Sequence, residues 1–417
     1  MDLENNIATR MLFCTMVIVL WLTKMKIISD ATIKDYSSTV GERNRIDKTM
    51  TLPLFIQAVL GHNILDPTWT WRTRISQQLF VVFLLVYVLL GTRDYLKDAT
   101  DAPEIGEAYY TILITSLFPI KYLLFVNSRV TFRHLYLMAK TSLFEIVEME
   151  STEKSAELLR KLKLFTKFLL VIVLFPVIMY LSAAMWFYVH GVRVTLSRTT
   201  SILMPLTSPY HEIGLLLHTI FFFYMSFTFL VIDMWLVLLM FFFCVACDSL
   251  AKILQVEPKY LDESNLEYAI RLNDRLKLFY ERHNILMEYL NILSDMYKWP
   301  TVVPLISVLL ASGLILFLMS EKVEWTFLSH LLPTFMEIFA YNWFGEQIKA
   351  KGTLLNTALL EFDWPNMRLK DKKNYHIIIT YMVKDFSIQT AVGNDLSLCT
   401  MSAVSNQSLC KALNESI

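Results

Sequence analysis

Tyr341-Asn342-Trp343-Phe344-Gly345-Glu346 closes an apolar run that begins near Pro333, and the two segments beyond it decide how the chain is read. The first is basic and amphipathic, with Trp364-Pro365 inside it and Lys370, Lys372 and Lys373 behind. The second runs from Gly393 to Leu413, just long enough to cross a bilayer but oddly polar, with Ser397, Ser402, Ser405, Asn406, Gln407 and Ser408. Each of these groups would cost free energy against lipid, because hydrocarbon offers no water to hydrogen-bond it. A spanning helix of this kind should face protein or water.

The rest of the chain also reads as a membrane protein. It has 417 residues, 55% hydrophobic and 18% charged, with a mean hydropathy of +0.45. Soluble domains hold roughly 45–50% apolar residues and about a quarter charged. The apolar residues come in long blocks without the alternation of barrel strands, so the fold class is an all-α integral membrane protein. Seven spans are predicted, at about 75–92, 105–126, 164–188, 212–246, 300–319, 327–345 and 391–413. The fourth exceeds what a bilayer needs and should tilt or project. The expected division is an N-terminal extension at 1–50, an interfacial helix at 51–74, helices one to six at 75–346, a cytoplasmic anchor segment at 347–390 and the seventh helix at 391–417. Residues 11–22 are apolar between Arg10 and Lys24, too short for an ordinary span: a signal-like, interfacial or extra helix. Leu52–Leu60 is also too short to cross, and Trp69 and Trp71 beyond it suit an interface.

Lysine and arginine set the orientation. They gather before the first span (Arg43, Arg45, Lys48, Arg72, Arg74) and between the second and third (Arg129, Arg133, Lys140, Arg160, Lys161). They gather again between the fourth and fifth (Lys252, Arg271, Arg275, Arg282) and between the sixth and seventh (Lys349, Lys351, Arg368, Lys370). The alternate connections hold little beyond Arg93, Lys97, Arg193, Arg198 and Lys322. The positive-inside rule places the N-terminus in the cytoplasm and the C-terminus outside, the reverse of a G-protein-coupled receptor. Within 262–297, Leu266, Ala269, Ile270, Leu276, Phe279, Leu286, Met287, Leu290 and Leu293 recur at a helical period, predicting an amphipathic helix that runs on into the fifth span. Residues 132–163 can do the same, and with the segment after 346 they suggest a packed intracellular layer where subunits meet.

No catalytic set is present, no cofactor is expected, and no basic patch stands apart to suggest nucleic acid. Cys244 and Cys247 form a C-x-x-C inside an apolar run without a second ligand pair, and read as core. His190, His211, His218 and His330 lack nearby cysteines or paired carboxylates, and read as polar groups facing a pocket or interface rather than metal ligands. Lys121, Asp233 and Glu337 are ionisable groups inside spans; a structural ion pair is the simplest reading.

From about Thr51 onward, this layout resembles the insect odorant receptor family: the long fourth helix, the helical cytoplasmic connections, the Trp343/Gly345-Glu346 exit and the short polar last span. Residues 1–48 depart from the family pattern. The resemblance implies an odorant-specific tuning subunit. It would assemble with a co-receptor into a hetero-oligomeric, tetrameric cation channel, in the plasma membrane of olfactory neuron dendrites. It also implies an outer-leaflet pocket for a small hydrophobic volatile ligand. In this chain that pocket would draw on Tyr109, Tyr110, Ile112, Met179, Tyr180, Ala183, Trp186, Phe187, His218, Phe222, Met225 and Phe335. An ester, alcohol or terpenoid would be held there mainly by dispersion, oriented by one hydrogen bond. On a helix, Ser397, Met401, Ser405, Ser408, Ala412 and Glu415 share one face, so Ser405, Ser408, Ala412 and Glu415 are the expected pore residues. A gustatory-type channel is the nearest alternative; Thr380-Tyr381 begins that family's signature, but Met382 to Ile388 does not complete it. A G-protein-coupled chemoreceptor conflicts with the charge distribution. A transporter would need an internal repeat that is not seen.

Overall fold

The computed structural model describes residues 51–60, 65, 75–194, 206–255, 258–260, 262–321, 325–382, 386–390, 393 and 395–397. Segment 11–22, Trp69, Trp71 and the expected pore residues Ser405, Ser408, Ala412 and Glu415 lie outside them. The described chain is helical: α1 (Thr51–Val59), α2 (Ile75–Asp98), α3 (Ala102–Asn127), α4 (Arg129–Met138), α5 (Phe144–Glu150), α6 (Thr152–Val189), α7 (Tyr210–Ile253), α8 (Asn265–Glu321), α9 (Trp325–Leu360) and α10 (Leu369–Tyr381). Among the described residues, three stretches are long and apolar enough to cross a membrane: Glu104–Asn127, Glu153–Val189 and Tyr210–Ile253. The most apolar part of α7 is 78% buried and that of α6 only 17%, so α7 is largely enclosed by protein and α6 leaves most of its apolar surface uncovered.

The chain divides into two compact units. Unit 1 comprises residues 1–127, 164–234 and 303–336; unit 2 comprises 128–163, 235–302 and 337–417. In unit 1, α2 and α3 pack side by side against the first half of α7. The α1 segment buries Ile56 and Gln57, and the Tyr224 hydroxyl of α7 donates to the Leu60 carbonyl at 3.2 Å. Lys121 of α3 is buried and bonds Asp233 of α7 at 2.7 Å, so two of the three in-span charges of the sequence form a structural pair.

In unit 2, Trp235 of α7 is wedged edge-on against Phe132 and Tyr136 of α4, with ring centroids 5.1 and 5.5 Å away. The Tyr289 hydroxyl of α8 donates to the Leu239 carbonyl at 3.1 Å. Glu150 accepts from Ser249 and Lys252 of α7 at 2.6 Å each. Burial alone would raise the Glu150 carboxyl, but these bonds outweigh it and hold the group below the usual range. Arg282 pairs with Glu145, and Lys351 with Asp248 at 2.7 Å. The Tyr375 hydroxyl of α10 donates to Leu359, and its ring stacks on Trp364 at 5.7 Å.

Three features differ from the sequence expectation. The 132–163 connection is not one helix: residues 139–143 form a π turn, and Ser151 adopts extended backbone, its Oγ accepting from the Lys154 N–H at the start of α6. The amphipathic stretch of α8 does run into one 57-residue helix, but Leu266 and Ile270 of its expected apolar face are exposed while Leu276, Phe279, Leu286 and Leu293 are buried. The expected seventh span does not open at 391. Gln389 and Asp395 form a β-bridge, Gly393 turns the chain at φ +85°, and Ser397 is buried against α9 rather than on a helical face.

Candidate functional site

The first half of α7 is so apolar that its few exceptions stand out, and they cluster at helical spacing near its start. Phe221 and Met225 are buried with Val88 of α2 and Phe118 of α3, and Leu85, Tyr87, Ile114, Phe222 and Tyr224 pack around them. His218 is 2% exposed, and Tyr87 meets its ring edge-on at 5.5 Å. Phe222 stacks on Tyr180 of α6 at 6.1 Å and 18° between planes. Tyr110 of α3 is buried against Ala311 and Ile315 of α8 and stands within electrostatic reach of Tyr180.

Of the side chains named from sequence, Tyr110, Tyr180, His218, Phe222 and Met225 therefore meet in one apolar neighbourhood, and Ile112 and Ala183 are half-buried. Tyr109, Met179, Trp186, Phe187 and Phe335 instead point outward, 42% to 65% exposed. Trp186 covers the His190 ring at 4.3 Å. Sequence reasoning left out Tyr87, Val88 and Phe118, along with Ala311 and Ile315. A signal existed for Tyr87: it is the only hydroxyl in the run Leu79–Leu90.

Next to this region, the end of α6 is tied to the start of α7. Tyr188 stacks on buried His211 at 5.9 Å and donates to Glu212, while a His211 ring nitrogen lies 2.9 Å from the Val194 carbonyl. Arg193 donates to the Leu206 carbonyl. Among the described residues no three His, Cys, Asp or Glu side chains are grouped as metal ligands would be. Cys244 and Cys247 are free and buried. Chemically, the region offers aromatic and aliphatic surface with a few tyrosine hydroxyls and one imidazole, a composition suited to holding a small apolar molecule.

Long apolar helices, one of them largely buried, define a multi-span helical membrane protein. The chain matches the 7tm Odorant receptor family over residues 101–408, and it belongs to that family. It is accordingly an olfactory receptor of the membrane. A comparison with curated proteins finds no match. Among solved structures, it is similar to the insect olfactory receptor OR5 from Machilis hrabei, with a TM-score of 0.66, 14% identity, and coverage of 88% of this chain and 98% of that one. It is also similar to the same receptor in complex with eugenol, with a TM-score of 0.64, 14% identity, and coverage of 87% and 98%. At that identity the likeness speaks for the fold.

Proposed function

We propose that this chain is the odorant-binding subunit of a ligand-gated cation channel, assembled with a co-receptor into a hetero-oligomer, tetrameric as the family resemblance implies, in the plasma membrane of olfactory neuron dendrites. Family membership supports the receptor role. The observation that carries the binding site is the convergence of Tyr87, Tyr110, Tyr180, His218, Phe222 and Met225 within unit 1. The ligand is a small hydrophobic volatile, held by dispersion and oriented by a tyrosine hydroxyl or the imidazole. The eugenol complex of the Machilis hrabei receptor fits a ligand of this size class. Ser405, Ser408, Ala412 and Glu415 then line the pore, with the Glu415 carboxylate favouring cations.

The test is coexpression with an insect odorant co-receptor and a panel of geraniol, linalool, hexyl acetate, octanol and eugenol. Tyr180→Leu and His218→Leu should each shift the half-maximal concentration of the best activator by roughly tenfold, the effect of losing about 1.4 kcal/mol. Tyr109→Phe and Trp186→Ala, whose side chains face outward, should shift it least. Unchanged curves for both inward variants at normal surface level would place the ligand elsewhere. In the same cells Ser405→Leu or Ser408→Leu should alter single-channel conductance, and Glu415→Gln should weaken divalent permeation. Unaltered conductance and selectivity in all three would remove these residues from the lumen.

A further inference from the structure

Gly345 belongs to the exit motif that marks the end of the sixth span in the sequence, and the structure shows what the glycine permits. A Cβ built there would lie against the Leu396 carbonyl oxygen and only 2.7 Å from both that residue's carbonyl carbon and its Cβ. No side chain fits unless the Leu396 peptide moves. Three further residues of the same α9 face, at steps of three and four, also meet the segment 386–397. Asn342, 3% exposed, donates its side-chain amide to the Ile338 carbonyl at 2.9 Å, which leaves its oxygen to accept the Ser397 N–H at 3.2 Å. Lys349 pairs with Asp395 at 2.9 Å. A Cβ at Gly352 would stand 3.0 Å from the Phe386 ring.

The segment they receive is closed on itself. Leu396 donates to Ile388 and Gly393 to Thr390, each at 2.9 Å, and Phe386, Ile388, Thr390, Leu396 and Ser397 are buried. From α8, the Ser294 hydroxyl accepts the Gln389 N–H at 3.2 Å. Ser397 is the last described residue before the stretch proposed to line the pore.

We propose that the α9 face formed by Asn342, Gly345, Lys349 and Gly352 is the seat that positions the chain's final segment, and that this seat sets how efficiently odorant binding opens the channel. The proposal rests on the reading of the chain as a channel subunit. The physical reason is leverage. The direction in which a segment leaves a turn is fixed by the few contacts that hold its first peptide, here a hydrogen bond to the Asn342 side-chain oxygen, a steric fit and an ion pair within a short stretch of α9. These are positioning residues: none of them touches the odorant or the ions.

The chemistry of the three contacts differs, so they can be changed separately. With the co-receptor present, Lys349→Asp and Asp395→Lys should each reduce maximal activator-evoked current per surface-labelled receptor by roughly fivefold or more, the lower end of typical coupling between sites. The double swap should restore it. Both side chains are about a third exposed, so neither single change threatens folding. Gly345→Ala and Asn342→Leu should lower single-channel open probability while conductance stays at the wild-type value. The activator is whichever of geraniol, linalool, hexyl acetate, octanol and eugenol drives the wild type best. Wild-type current with unaltered open probability and no rescue by the swap overturns the seat alone. A wild type silent to all five removes the channel reading, and the seat's gating role with it.

Discussion

Lys121 shows what a single residue can reveal in a chain of this composition. A lone charge inside a spanning helix is costly, up to about 2.5–3.5 kcal/mol at the helix centre by insertion measurements, which favours its having a partner. Its ammonium bonds Asp233 at 2.7 Å and stands 5.0 Å over the Phe229 ring. Removing one partner leaves a buried charge uncompensated, at about 3–5 kcal/mol, whereas apolar replacement of both is often neutral. Lys121→Met should therefore lower the melting temperature and yield of detergent-purified protein, and Lys121→Met with Asp233→Leu should recover most of the loss. A double variant no better than the single one would mean the pair is not the reason these charges coexist. The sequence marked both residues as costly and an ion pair as the simplest reading, but left Glu337 beside them and gave no contact between positions 112 apart. The same limit applied to the proposed binding region. Tyr110, Tyr180, His218, Phe222 and Met225 were legible because aromatic and polar residues interrupt aliphatic spans at helical spacing. Which side of each helix faces inward was not, because lipid and core both accept apolar side chains. This is why Trp186 and Tyr109 were grouped with residues they do not join.

Among the helices, regular periods were readable and interruptions were not. Ser264 and Glu267 form a reciprocal capping box at the start of α8, with Glu267 N–H to Ser264 Oγ at 3.2 Å and Ser264 N–H to Glu267 Oε2 at 2.8 Å. The apolar stripe then holds through Leu272, Leu276, Phe279, Leu286 and Leu293. The π turn at 139–143 and the turn at 386–397 have no local signature, since tertiary contacts fix them. His283 lies on the buried face of α8, stacked near Phe279 and Phe386 with centroids 5.9 Å from each. Burial pushes its imidazole down from 6.5 to about 4. Above the unfolded value the ring is neutral in both states and titration costs nothing. As pH falls from 6.5 towards 4, the unfolded chain takes up a proton that the folded one refuses, so stability is lost across that window. His283→Phe should flatten the fall in melting temperature over that interval. An acid slope identical to the wild type would show that other groups carry it.

Charge divides the molecule as a whole. The described lysines and arginines of unit 1 are Arg93, Lys97, Lys121, Lys167 and Arg193, whereas unit 2 holds Arg129, Arg133, Lys140, Arg160, Lys252, Arg271, Arg275, Arg282, Lys349, Lys351, Arg368, Lys370 and others. The chain enters unit 1 and returns to unit 2 three times, as residues up to 127, 164–234 and 303–336. Each excursion carries a pair of helical segments: α2 with α3, the end of α6 with the start of α7, and the end of α8 with the start of α9. On the proposed topology each such pair would leave and return across the membrane, so the cation-rich connections after α3, α7 and α9 would share one side. By the positive-inside rule that side is expected to be the cytoplasm. The same rule is expected to put the cations before α2 on that side. The seventh span expected from the sequence at 391–413 would then leave the C-terminus outside. The expected result is that an epitope tag placed before Thr51 stains only after permeabilisation, while a tag after Ile417 stains on intact cells. Staining of the first tag on intact cells would reverse the proposed orientation. If neither tag stains on intact cells, the helix pairs stand but the final segment does not cross, and the pore must be sought elsewhere in the chain.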